Sequence, residues 1–168
     1  MVKIGLISDN HSYYNDELIP YLKGCDEIWH AGDIGNLESI EPLEKLAPIR
    51  AVYGNIDNSE TRLVYPLNQV FEIEGVKVLM THIGGYPGRY RSRVKELIDE
   101  HHPNLYICGH SHILKVVRDQ KNNLLHMNPG AYGHHGFHKV RTFLTFHIDK
   151  GKINNLNVIE LGRRGIVD

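Results

Sequence analysis

The chain has 168 residues, with 19 Lys and Arg against 20 Asp and Glu, a formal net charge of −1, and 12 histidines against four phenylalanines. This length suits one domain, spanning residues 1–168, that buries a core without disulfides, and the balanced charge excludes a global basic footprint for nucleic acid and an acidic tail. No apolar run approaches membrane-spanning length, no signal peptide precedes Val2, and Cys25 and Cys108 read as reduced, packed thiols, so a cytoplasmic protein with no membrane partner is expected.

Taken in order, Val2 to Ser8 is a nearly continuous apolar run, the pattern of a strand buried on both faces. It ends in Asp9 and His11; Asp9 reads either as a metal ligand beside His11 or as the cap of a helix from Asn15 to Lys23, stopped by Gly24. Glu27 to Ala31 is a second strand, closed by Gly32-Asp33, and a helical segment from Leu37 to Leu46 carries Pro42 near its start or at a kink. Arg50 to Tyr53 is a third strand, ending in Gly54-Asn55-Ile56-Asp57. After an irregular stretch, Val70 to Ile73 and Val76 to Thr81 form a hairpin across Glu74-Gly75, and the second strand ends in His82. A helix from Tyr90 to Glu100 sets Val94, Leu97 and Ile98 on one face.

The strand through Leu105-Tyr106-Ile107 ends in Cys108-Gly109 and then presents His110 and His112. Side chains two apart in extended chain share a face, so both imidazoles are expected to address one site. Ile113 to Arg118 with Leu124 to Met127, and Thr142 to Ile148 with Ile153 to Leu161, read as hairpins, and Asn128-Pro129-Gly130 as a turn.

Five strands thus end in potential ligands: Asp9 with His11, Asp33, Asn55, His82, and His110 with His112. In α/β sheets the ligand crevice lies beyond the carboxyl ends of the strands, and capping aspartates and solvated histidines do not explain five such endings in succession. The ordered set Asp-x-His, Gly-Asp, Gly-Asn, His and Gly-His-x-His resembles the calcineurin-like metallophosphoesterases, and the length and the Gly-Asn-x-Asp variant resemble their compact bacterial and archaeal phosphodiesterases. The resemblance implies an α/β fold, a four-layer αββα sandwich of two mixed β-sheets flanked by helices. It implies one divalent ion on Asp9, His11, Asp33 and His112, and a second on Asp33, Asn55, His82 and His110, with Asp33, Asn55 and His110 catalytic and Asp33 bridging. Hydrolysis of a small phosphate ester, most readily a phosphodiester, by a metal-bound hydroxide follows from it. Two such ions lie roughly 3.5–4 Å apart in two-metal hydrolases and clamp the attacking and leaving oxygens. The mixed nitrogen and oxygen donors without thiolate suit Mn, Fe, Ni or Zn better than Ca, and Mn is the first choice because the resembling family often uses it.

One departure stands out. Many family members carry a histidine after Gly-Asn, where this chain has Ile56, which cannot transfer a proton. Asp57 reads either as a carboxylate supporting the site or as a plain turn residue. The segment from Gly130 to Arg141 holds His134, His135 and His138, with Lys139 and Arg141. It reads as a surface loop or as the source of the missing acid, and His138 is the favoured candidate because it adjoins a strand; Lys139 or Arg141 would alternatively supply charge to the phosphate. Arg89, Arg91 and Arg93 read as a solvated helix start or as phosphate contacts. A metal-poor interaction scaffold of the same fold is the competing expectation, opposed by the presence of all seven ligands. A nuclease is opposed by the neutral charge, and a homo-oligomer stays open.

Overall fold

The computed structural model describes residues 1–165. Strand β1 (Val2–Ile7) is followed by a 3-10 turn at Asp16–Leu18 that runs into helix α1 (Ile19–Leu22). The expected helix from Asn15 is therefore short: Pro20 supplies no amide in its first turn, and Asn15, not Asp9, caps the segment by accepting the Glu17 amide. Strand β2 (Glu27–His30) leads to a second 3-10 segment at Leu37–Ile40 and helix α2 (Glu41–Glu44), with Pro42 again in the first turn. After β3 (Ile49–Ala51), the irregular stretch contains an unforeseen helix, α3 (Ser59–Val64), whose sequence signal is Asn58 capping the Thr61 amide. Then come β4 (Asn68–Ile73), β5 (Val76–Thr81), α4 (Ser92–His101), β6 (Leu105–Ile107), β7 (Leu114–Asp119), β8 (Leu124–Pro129), β9 (Val140–Asp149) and β10 (Lys152–Arg163). Asn128 and Pro129 end a strand, and only Gly130 makes the turn, at φ +74°.

Two mixed five-stranded sheets result, in the orders β10-β9-β1-β2-β3 and β4-β5-β6-β8-β7. In the first, β1, β2 and β3 are parallel, β9 pairs antiparallel with β1, and β10 pairs antiparallel with β9; in the second, β5, β6 and β8 are parallel, flanked by antiparallel β4 and β7. Alternation decides what each face covers. Ile4 and Leu6 of β1 meet Val78, Met80, Leu105, Ile107 and Met127 between the sheets, while Ile7 turns outward against Leu18, Leu22 and Leu43 of the helical layer. On the far side, Val94 and Ile98 of α4 pack on Leu79, Tyr106 and Leu124. This is the expected four-layer arrangement of helices outside two sheets, and it leaves the carboxyl ends of β1, β2, β3, β5 and β6 at one rim.

Candidate metal centre

Beyond the strand ends, the connecting loops are laced to one another. The Asp9, His11 and Ser12 amides donate to the carbonyls of Gly32, Asp33 and Ile34, and the Gly109 amide donates to the His82 carbonyl. Within this lacework Asp9, His11, Asp33, His110 and His112 all adopt left-handed backbone, with φ between 46° and 70°. A residue with a side chain there costs roughly 1–2 kcal/mol. This corrects the expected route by which His110 and His112 address one site: strand β6 stops at Ile107 and neither histidine is extended, so a shared strand face does not bring them there.

Within that site they are divided between two ligand groups, as the family resemblance implies. Ligand atoms of Asp9, His11 and His112 form one group and those of Asp33, His82 and His110 another, each within 4.8 Å of one another. Each carboxylate holds one oxygen in place and turns the other to the imidazoles. Asp9 Oδ2 accepts from Ser8 Oγ and from the His110 amide at 3.1 Å, leaving Oδ1 3.0 Å from His112 Nε2. Asp33 Oδ1 accepts the Ile56 amide at 3.1 Å, while Oδ2 lies 3.1 Å from His82 Nε2 and 3.4 Å from His11 Nε2, and so between the two groups. Asn55 Oδ1 is 3.0 Å from His110 Nδ1, which brings all seven expected residues to one place.

Three buried atoms at the centre, Asp9 Oδ1, His11 Nε2 and His82 Nε2, have no hydrogen-bond partner among the described residues. Such groups are costly unless a ligand completes them. His82 Nδ1 donates to the Ala31 carbonyl at 2.7 Å, which fixes the tautomer and leaves the Nε2 lone pair facing Asp33. The donor set of carboxylates and imidazoles fits a divalent transition ion.

Electrostatics follow this crowding. Burial alone would raise the Asp9 and Asp33 carboxyls, but the imidazoles around them outweigh it and hold both well below the usual carboxylate range. Burial opposes protonation of His11, yet Asp33 and Asp9 prevail and raise it to about 9; His82 is raised against burial in the same way.

Of the residues that brace these loops, sequence reading offered Asp57 as a supporting carboxylate and missed the bracing roles of His30 and Asn128. His30 is buried, and burial pushes it down to about 4, so its neutral ring accepts the Gly32 amide on Nδ1 at 3.1 Å and donates from Nε2 to Asn10 Oδ1 at 2.8 Å. Asn128 donates to the Gly109 carbonyl and to Ser111 Oγ, both at 3.0 Å. Asp57 accepts the Gly35, Gly54 and Ile34 amides at 2.8, 2.7 and 3.3 Å, tying the Asp33 loop to the Asn55 loop. Gly54 and Gly109 allow this closeness, since a Cβ on either would overlap Asp33 Oδ1 or Asp9 Oδ2, at 2.1 and 2.7 Å.

A cleft of about 390 Å³ opens over the centre, lined by His11, Asp33, Asn55, Ile56, His110 and His112 and roofed by His135 to His138. His138 lies at the site, but both ring nitrogens are engaged: Nε2 donates to the Gly133 carbonyl at 2.8 Å, and Nδ1 lies 3.2 Å from His112 Nδ1. His134 is held by the Arg164 carbonyl and by Tyr13. His135 is exposed, lines the cleft and stacks on His11, with ring centroids 4.6 Å apart. Arg141 is buried, paired with Glu17 at 2.7 Å and bonded to the Leu161 carbonyl, so it is a structural tie and does not supply charge to a phosphate. Arg93 is likewise spent on Asn68, Thr81 and Ile83.

Fold and site together define a metallophosphoesterase-type domain, and the chain belongs to the calcineurin-like phosphoesterase superfamily, whose domain profile matches residues 2–151. A probable metallophosphoesterase of Methanothermobacter thermautotrophicus is 31% identical over 133 residues, covering 76% of this chain and 76% of its own. Among solved structures, a novel archaeal phosphodiesterase superposes with a TM-score of 0.71 at 23% identity over 95% of this chain and 99% of that one. Wild-type Vps29 of Entamoeba histolytica, complexed with zinc, superposes with a TM-score of 0.70 at 16% identity, covering 94% and 98%.

Proposed function

We propose that this protein is a binuclear metal-dependent phosphoesterase acting most readily on phosphodiesters. The observation that carries the reading is Asp33 Oδ2, a single carboxylate oxygen within 3.4 Å of imidazole nitrogens from both ligand groups. Asp9, His11, Asp33 and His112 would hold one ion, and Asp33, Asn55, His82 and His110 the other, with Mn the preferred metal. Divalent ions there would lower the pKa of bound water and offset phosphate charge.

The chain's own part is positional. The amides of His110 and Ile56 and the hydroxyl of Ser8 fix the two carboxylates, and the His82–Ala31 bond fixes an imidazole, so the donor atoms need little reorganisation. His112 Nδ1 donates to His138, which leaves Nε2 beside Asp9; His138 is thus a positioning residue, and the proton-donor role passes to His135, whose ring lines the same cleft stacked on His11. Ile56 at the rim leaves an apolar contact where many family members place a proton donor, so protonation of the leaving group falls to His135. A cytoplasmic location is part of the proposal, supported by two buried free thiols.

The test is chelation followed by reloading with Mn, Fe, Ni or Zn, with elemental analysis and turnover of bis(p-nitrophenyl) phosphate against p-nitrophenyl phosphate. Two ions per chain and faster diester hydrolysis are expected. A single ion would overturn the binuclear centre, and faster monoester hydrolysis with every metal would overturn the diester preference.

A further inference from the structure

A second and larger cleft, about 710 Å³, adjoins the first, and His110, Ser111 and Ile113 line both. Its walls are the loop from Ile83 to Arg91 and strands β7 and β8, where Lys115 is paired with Asn128 and Val117 with His126. By the period of two, Lys115, His126 and Asn128 share one face of the sheet. Three cations, Arg89, Arg91 and Lys115, line this cleft, and no carboxylate does. In a chain of net charge −1 that is a local concentration of one sign.

These three exposed cations are open to a ligand. None of the three guanidinium or ammonium groups has an ion pair or hydrogen bond among the described residues, in contrast to Arg93 two positions away. The Lys115 ammonium also lies 4.4 Å above the ring of Tyr86, another wall residue, which holds the charge over the cleft. A further observation is independent of the cations. His126, 1% exposed, lines the cleft while its Nδ1 has no partner. Burial, and then Lys115, push this imidazole down to about 4, so it stays neutral beside the cations.

We propose that this cleft binds a second phosphoryl group of the substrate, so that the natural substrate is a phosphodiester carrying a further phosphate on the same molecule. The inference rests on the phosphodiesterase reading: the shared ridge at His110 and Ser111 lets one molecule occupy both clefts. Guanidinium forks suit a tetrahedral dianion, which accepts several charge-assisted hydrogen bonds at once. A long nucleic acid is disfavoured because three cations in a bounded cleft give no track for a backbone.

The experiment compares thymidine 3′,5′-bisphosphate with thymidine 5′-monophosphate by calorimetry, on the protein as purified and after Mn addition. Binding of the bisphosphate should be at least ~10-fold tighter, the scale expected of added charge-assisted bonds. The doubly substituted Arg89→Ala, Lys115→Ala protein should lose that ratio, and Arg118→Ala, outside the cleft, should keep it. A ratio within about twofold for the wild type, or a high ratio surviving the double substitution, overturns the proposal. The 5′-p-nitrophenyl esters of the same two nucleotides give a separate reading through KM. If neither ester is hydrolysed with any metal, the diesterase reading falls, and the calorimetric ratio still decides the cleft.

Discussion

Asp57 offers the sharpest perturbation because its work is visible bond by bond. Its buried carboxylate accepts three backbone amides, from Gly35 at 2.8 Å, Gly54 at 2.7 Å and Ile34 at 3.3 Å, and thereby joins the loops that carry Asp33 and Asn55. Asp57→Ala leaves all three donors without an acceptor. Hydrogen bonds to a charged group contribute about 1.5–3 kcal/mol each, and a stranded buried donor costs about 1–3 kcal/mol. Counting the two short bonds fully and the long one weakly, with some relaxation, gives a loss of about 4 kcal/mol. For a chain of this size that lowers Tm by roughly 8–16 °C. Asp57→Asn keeps one oxygen but points an amide donor at another amide, so it should fall between wild type and Ala. Denaturant and thermal unfolding of chelated protein measure the effect without the contribution of bound metal. A loss of under about 1 kcal/mol for Asp57→Ala would refute the account of Asp57 as the tie between the loops.

Asp33→Ala should abolish turnover and lower the metal content per chain more than Asn55→Ala does; elemental analysis showing both ions retained in Asp33→Ala would end the bridging assignment. Protonated His11 is stabilised in the folded, metal-free protein, its pKa raised from 6.5 to about 9. That contribution is complete below pH 6.5 and fades as pH rises through about 9, so chelated protein should lose stability across this window. Metal must displace the same proton, so Mn affinity should rise across the window by about tenfold per pH unit for each proton displaced, and pH-independent affinity would contradict it. His135→Ala should slow an alkyl phosphodiester ~100-fold while slowing an aryl one only a few-fold. His138→Ala should instead weaken metal binding ~10-fold or more and slow both esters alike. Equal losses on both esters for His135→Ala would remove it as the proton donor.

What the sequence disclosed was the rim. Buried apolar runs such as Val2–Ile7 and Leu105–Ile107 fix where strands stop, and polar residues at those ends can only gather where the sheets end. The four layers were legible through the family resemblance, while the near-continuous apolar runs told only that the strands are buried on both faces. Short helices were less so: α3 spans only six residues, and its single cue was the Asn58 cap. The division of His110 from His112 was legible only through the family resemblance and not through spacing, since a period-two argument presumes extended backbone and left-handed φ reverses its outcome. His30, Asn10 and Asn128 escaped because their importance lies in bonds to backbone atoms of distant loops, which spacing along the chain does not encode.

The left-handed backbone at Asp9, His11, Asp33, His110 and His112 sets stability against chemistry. Glycine adopts the same φ without the clash of a Cβ, so at each of these five positions the residue that would best relax the backbone is one with no donor atom at all. At the three histidines a chain selected for durability alone would drift toward glycine, recovering about 1 kcal/mol at a time, whereas at Asp9 and Asp33 the same change would strand the His110 and Ile56 amides. That five side chains persist where the backbone disfavours them identifies the strand ends as the part of the molecule kept for what it does, at the expense of how tightly it folds.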